Sequence, residues 1–101
     1  MAKLYVTEYA GAGGNVTQGN VAKEPEITTQ VVSFTGTAGV SSAFATNTSI
    51  IRVHPDGICS VLVSAAGTAA TTANKRMNLG QTEYFEVPAG QSYKISAITN
   101  T

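Results

Sequence analysis

Ile50-Ile51-Arg52-Val53-His54-Pro55-Asp56-Gly57-Ile58-Cys59-Ser60-Val61-Leu62-Val63 is the stretch on which the fold class turns. Two runs rich in β-branched residues flank a Pro-Asp-Gly break, and both alternate with a period of two. Ile51, Val53, Cys59, Val61 and Val63 fall on one face, which is uniformly apolar and is expected to be core. Ile50, Arg52, His54, Ser60 and Leu62 fall on the other, which is mixed and is expected to meet solvent or a neighbouring chain. The break predicts a hairpin. Pro55 presets φ for the first central position of a type I turn, and Gly57 suits a left-handed residue after it. That register pairs His54 with Ile58, Val53 with Cys59 and Ile51 with Val61.

Working outward, Val87-Pro88-Ala89-Gly90 carries the same turn chemistry and predicts a second hairpin, with Phe85 opposite Tyr93 and Glu86 opposite Ser92. Phe85, Val87, Tyr93 and Ile95 share its core face; Tyr84, Glu86, Ser92 and Lys94 share the other. The two hairpins are not a repeat, because aligning their prolines sets Val53 against Glu86 and Ile51 against Tyr84. Further strands are expected near 3–9, 29–35, 41–45 and 76–79, beside those at 48–54, 58–64, 81–87 and 92–98. No segment has helical periodicity of useful length. The expectation is an all-β, antiparallel β-sandwich, jelly-roll-like, of about eight short strands with an extended N-terminal arm.

Two irregular stretches set the organisation. Ala65 to Asn74 is small, neutral and aperiodic and reads as a surface loop. Ala10 to Glu26 holds four glycines and Pro25 and few apolar anchors. A connection of that length in a small domain has a role of its own or is unstructured. The division expected is therefore an N-terminal strand and flexible arm, 1–26, and a sandwich domain, 27–101. Strand 3–9 is expected to pair outside the sheet of its own domain, on a neighbouring subunit or larger partner, with Leu4, Tyr5, Val6 and Tyr9 as contacts.

Composition narrows the function classes. The chain has 101 residues, 43% hydrophobic and 12% charged, with six basic and six acidic side chains. The charged fraction is about half the ordinary value of ~25%. A surface of Thr, Ser, Ala and Gly loses little on desolvation and suits burial in an assembly. Zero net charge argues against nucleic acid and against anionic membranes as partners, and no apolar run approaches the ~20 residues of a membrane span. Met1 to Glu8 lacks the apolar core of a signal peptide and reads as a strand, so synthesis in a cytoplasm is expected. Cys59, the single cysteine, sits in a strand pattern and reads as a buried, inert thiol.

Residue types that carry chemistry are present but badly placed. Gly11-Ala12-Gly13-Gly14 follows a strand, but no helix start follows it to aim amides at a phosphate. His54, Asp56 and Ser60 have the residue types of a hydrolase triad, yet in the hairpin register Ser60 lies opposite Arg52 and the turn uses Asp56. One His and one Cys do not make a zinc site without carboxylates that lie elsewhere. Glu83 and Glu86 fall on opposite strand faces. Asn15-Val16-Thr17 and Asn47-Thr48-Ser49 match the glycosylation pattern, as Thr-rich chains often do by chance. Lys75-Arg76 reads as a solvated pair or as a contact. No catalytic, cofactor-binding or metal-ligating residue is expected.

Met1-Ala2-Lys3-Leu4-Tyr5-Val6-Thr7-Glu8-Tyr9 resembles the opening of short proteins encoded by tailed bacteriophages. Ile58-Cys59-Ser60, Ala70-Thr71-Thr72-Ala73-Asn74-Lys75-Arg76-Met77 and Gly80-Gln81-Thr82-Glu83-Tyr84-Phe85-Glu86-Val87-Pro88-Ala89-Gly90 are similar to their C-terminal half. The likeness covers about two thirds of the chain. It consists of strand and turn patterns, with no site motif. It implies a virion structural protein, a capsid decoration or cement protein on the capsid exterior. Such a protein binds the major capsid protein, commonly as a homotrimer, without a cofactor or enzymatic activity. Leu4, Tyr5, Val6, Tyr9, Lys75 and Arg76 are the candidate subunit or capsid contacts. The alternative is a tail- or fibre-associated β-module that binds a host surface glycan. Sugar sites favour exposed Trp or Tyr; there is no Trp, and Tyr84 is the tyrosine that the pattern places on a non-core face.

Overall fold

A computed structural model describes residues 2–10 and 25–100. Eight strands run β1 (Ala2–Tyr9), β2 (Thr28–Phe34), β3 (Gly39–Val40), β4 (Ile50–Pro55), β5 (Cys59–Ser64), β6 (Lys75–Met77), β7 (Glu83–Glu86) and β8 (Lys94–Thr99). They form two antiparallel sheets, β2-β1-β4-β7 (sheet 1) and β3-β8-β5-β6 (sheet 2). The sandwich expected from the sequence is the observed architecture.

The order is that of a rolled double ribbon. Doubling back at the connection 65–74, the chain pairs β5 with β6, β4 with β7, β3 with β8 and β2 with β1. Successive pairs alternate between the two sheets, as in a jelly roll. Contacts of β1 with β4 and of β8 with β5 complete the sheets. β1 fills the place of the ribbon's last strand although it comes first in the chain.

The faces are those the alternation gives. Ile51, Val53, Cys59 and Val61 are buried in one core with Leu4, Val6, Val32, Phe34, Met77 and Ile95. Phe85, Tyr93 and Val63 pack against it and are half-buried. The neighbours are not those expected. β4 lies between β1 and β7, and β5 between β8 and β6, so 50–55 and 59–64 are not a hairpin. Pro55 to Ile58 is an arch from sheet 1 to sheet 2. Ile51 pairs with Phe85, not Val61. The reason is that a hairpin and an arch send the same side chains inward, and β4 already has a strand on each edge. Gly57 is not left-handed; a Cβ there would come within 2.8 Å of the Ala2 Cβ, so close approach selects glycine. The second expected hairpin is likewise an arch, since β7 and β8 lie in different sheets. Its Gly90 does take φ 76°.

Strand 3–9 is a second correction. β1 is an inner strand of sheet 1, with Leu4 opposite Val32 and Pro55 and Val6 opposite Gln30 and Val53. Leu4 and Val6 are 0% and 1% exposed. Their burial in the chain's own core outweighs any gain from pairing elsewhere. Residues 11–24 of the expected arm lie outside the described residues. The strand expected at 41–45 is also displaced. β3 is Gly39–Val40, and 41–45 follows irregularly, tied by Ser41 N–H to Ile95 O and Phe44 N–H to Tyr93 O.

Glu8 explains that irregular course. It is the fourth inward residue of β1, after Ala2, Leu4 and Val6, and is 1% exposed. Its Oε1 accepts from the Ala45 amide and the Thr48 hydroxyl, both at 2.8 Å, and its Oε2 from Gln30 Nε2 at 2.7 Å. The Gln30 Oε1 in turn accepts the Ser42 amide. A buried carboxylate is tolerated when several donors satisfy it. This one fastens the β3–β4 connection to sheet 1.

Candidate contact face

The two sheets treat their outer faces differently. On sheet 2 the outward residues of β5 are Ser60, Leu62 and Ser64, and those of β8 are Lys94, Ser96 and Ile98. The connection 65–74 does not leave this face; it lies across it as a strap. Thr68 N–H donates to Ser64 Oγ at 3.0 Å and Ala70 N–H to Ser96 Oγ at 2.9 Å. Ser96 donates onward to Gly39 O at 2.8 Å. Asn100 Nδ2 bridges Ser60 Oγ and Thr72 O. Ser60 and Ser96 are fully buried as a result. The small neutral residues of the strap now have a reason. Ala and Gly let the backbone settle onto the sheet, and serine hydroxyls beneath satisfy its amides. The surface loop expected there is a cover.

On sheet 1 no comparable strap lies over the outward positions among the described residues, although Tyr9, opposite Ile50 at the end of β1, is buried. Lys3, Tyr5 and Thr7 come from β1, Thr29, Val31 and Ser33 from β2, Ile50, Arg52 and His54 from β4, and Tyr84 and Glu86 from β7. Tyr5 is 42%, Val31 54% and Tyr84 53% exposed; these are three of the five exposed large hydrophobic residues described. Tyr5 lies beside Val31 on one flank and His54 on the other, and Tyr84 lies beside Arg52. The two tyrosines are two strands and two residues apart, about 12 Å. His54 Nδ1 bonds to Thr82 Oγ1 at 2.8 Å. Amphipathic rings on a sheet face that is otherwise mostly Thr and Ser, with Lys3, Arg52 and Glu86 as its charged positions, are a chemistry suited to a partner contact.

The sequence-derived candidates divide accordingly. Tyr5 is on the open face. Leu4 and Val6 point into the core, and Tyr9 is buried. Lys75 and Arg76 are both exposed but face opposite ways. Lys75 Nζ sits 4.1 Å from the centroid of the Phe85 ring, a cation–π contact at the side of the sandwich. Arg76 faces outward beside Ser60 and donates to Asn78 Oδ1. Val31 was missed, because its outward parity follows only once β2 is paired with β1.

The chemically capable residues are engaged separately. His54 bonds Thr82, an Asp56 carboxylate oxygen accepts the Lys3 amide, and the Ser60 hydroxyl accepts from Asn100. Ser60 and His54 belong to different sheets, a stronger separation than the hairpin register implied. Among the described residues no group of three or more His, Cys, Asp or Glu is placed to hold a metal ion. Burial pushes the Cys59 thiol up from 9.0 to about 11, so it stays protonated at neutral pH. No helix among the described residues is long and apolar enough to cross a membrane. Comparison with protein-family models, with curated proteins and with solved structures gave no match to this chain.

Proposed function

We propose that the chain is a capsid decoration protein of a tailed bacteriophage, bound to the outer capsid surface and bridging neighbouring major capsid subunits. The observation that carries this reading is the asymmetry of the two outer faces. The face of sheet 2 is closed by the chain's own strap, and the face of sheet 1 presents Tyr5, Val31 and Tyr84 among Thr and Ser side chains, with Lys3, Arg52 and Glu86 as its charged positions. A partly aromatic sheet face with few charges fits laterally onto a large protein surface. The capsid as partner, the outer surface as location and a trimer as the assembled form come from the phage resemblance of the sequence. In this reading the chain works by binding alone, with no catalytic role and no cofactor.

The test is to purify the particles of the phage that encodes the chain and to map it by peptide analysis and imaging. The reading expects it in many symmetry-related copies on the shell exterior. Finding it absent from particles, or confined to the tail, overturns the reading.

One observation favours the second reading, a tail or fibre module that binds a glycan. Tyr5 joins Tyr84 on the open face, and Arg52 and His54 lie between them. Tyrosine rings stack on sugar faces, and the basic side chains donate to hydroxyls. Tail localisation together with host-glycan binding abolished by Tyr84→Ala would establish this reading in place of the first.

A further inference from the structure

The β5–β6 ladder stops short. β8 pairs with all of β5 from Cys59 to Ser64, whereas β6 pairs only with Cys59, Ser60 and Val61. The strap causes this. Having crossed the outer face, the chain returns through Asn74 and enters the ladder at Lys75, opposite Val61. The edge of β5 beyond Val61 is left open.

The hydrogen-bond phase of β8 shows which groups face that opening. Ile95 donates its N–H to Ser41 Oγ, and its carbonyl accepts the Ser41 amide, so its main chain faces the β3 side. Alternate residues face the other way. Lys94 and Ser96 therefore face β5, paired with Ser64 and Leu62. It follows that Val63 directs its N–H and C=O away from β8, into the gap left by β6. The gap opens on a groove of about 330 Å³ between the sheets, walled by Val63 on one side and Phe85 on the other. Both side chains point toward the core yet are only half-buried. Lys75 and Glu86 stand at the rim, one of each sign, and the Lys75 charge is already over the Phe85 ring.

We infer that this gap accepts a short, extended, uncharged segment of a partner polypeptide. The segment pairs with the Val63 main chain in the place that β6 leaves empty and sets one apolar side chain between Val63 and Phe85. Three features select this occupant. An open donor–acceptor pair on a strand edge is answered by another strand. Half-buried inward side chains are answered by an apolar group. A rim with one charge of each sign gives a charged segment no advantage. The occupant is a free segment of a partner and not a second copy: the edge strands β2, β3, β6 and β7 each keep one open edge, but each is held in its own sheet by the other edge and is not a free segment that can enter between the sheets of a neighbour. The site adjoins the open face of sheet 1 at Glu86 but opens between the sheets, and it does not depend on the partner being a capsid protein.

The probe is an acetylated, amidated Thr-Val-Thr-Val-Thr peptide titrated into the full, nitrogen-15-labelled chain and followed by amide chemical shifts. Saturable shifts are expected at Val63, Lys75 and Phe85, with a Kd on the order of 1 mM. The same peptide N-methylated at alternate residues, unable to complete the ladder, is expected to give none. Three results overturn the proposal: no shifts at these amides, shifts that N-methylation leaves unchanged, or shifts confined to the edges of β2 or β7.

Discussion

The outer faces of sheet 1 and sheet 2 begin from the same strand grammar, with apolar residues inward and polar residues outward. They part because of one connection. The strap 65–74 uses Ser60, Ser64 and Ser96 as anchors, and Ser60 and Ser96 end up as buried as core residues. The outward residues of sheet 1 meet no equivalent cover among the described residues and retain Tyr5, Val31 and Tyr84 in the open. The difference teaches that an outward polar residue is not a solvated one until the loops are placed. A serine on a strand can be the floor of a loop, and a tyrosine beside it can be the part of the molecule left for a partner.

The comparison is first calibrated against the core. Ile51→Ala should cost about 3–4 kcal/mol, from lost transfer energy plus a cavity in the core beside Phe85. Ile50→Ala, one residue away on the open face, should cost under about 1 kcal/mol. Denaturant midpoints read at constant m-value check this. An Ile50 effect as large as that of Ile51 would show that the open face is covered in solution.

Cys59 reports on whether the covered sheet stays closed. Its folded-state pKa of about 11 lies above the ordinary 9.0. Between about pH 9 and 11 the unfolded chain therefore sheds the thiol proton while the folded chain holds it, and stability falls as pH rises. The loss should reach about 2–3 kcal/mol. The difference between the wild type and Cys59→Ala isolates it from other alkaline titrations. If that difference is flat across the window, sheet 2 opens enough to hydrate the thiol.

The smallest effect addresses the two faces directly. Ser96→Ala removes the acceptor of the buried Ala70 amide and the donor to Gly39 O, and should cost about 1–2 kcal/mol. Thr7→Ala, at an outward position of sheet 1, should stay within about 0.5 kcal/mol. Urea melts of the pair test the anchor role of the strap serines. Equal effects would mean that the strap contributes nothing to the fold.

How much of this was legible beforehand follows from what alternation encodes. Period-two patterning identified the inward set Ile51, Val53, Cys59, Val61 and Ile95, because burial depends only on which face a side chain takes. It could not choose between hairpin and arch at Pro55–Ile58, since both bury the same residues. That choice is made by β1 and β7, which occupy both edges of β4 and are distant in sequence. Leu4 and Val6 were misread as partner contacts for a related reason: the long connection after Tyr9 spoke for a detached arm, while their alternation spoke equally for an inner strand. Glu8 was within reach. A carboxylate in phase with Leu4 and Val6 on an apolar face needs buried donors. The strap was out of reach, because Ala-Thr repeats have no period and the serines that hold it look like ordinary solvent-facing strand positions.

In the proposed function the open face of sheet 1 docks on the partner and the strap faces away from it. With undecorated phage shells as the proposed partner, co-sedimentation of two folded variants with those shells is the test. Tyr5→Lys/Tyr84→Lys places charge on the open face, and Thr68→Lys/Ala69→Lys places the same charge on exposed positions of the strap. The first variant should lose on the order of tenfold or more in affinity, and the second should bind like the wild type. Retained binding by the first together with loss by the second would contradict that reading.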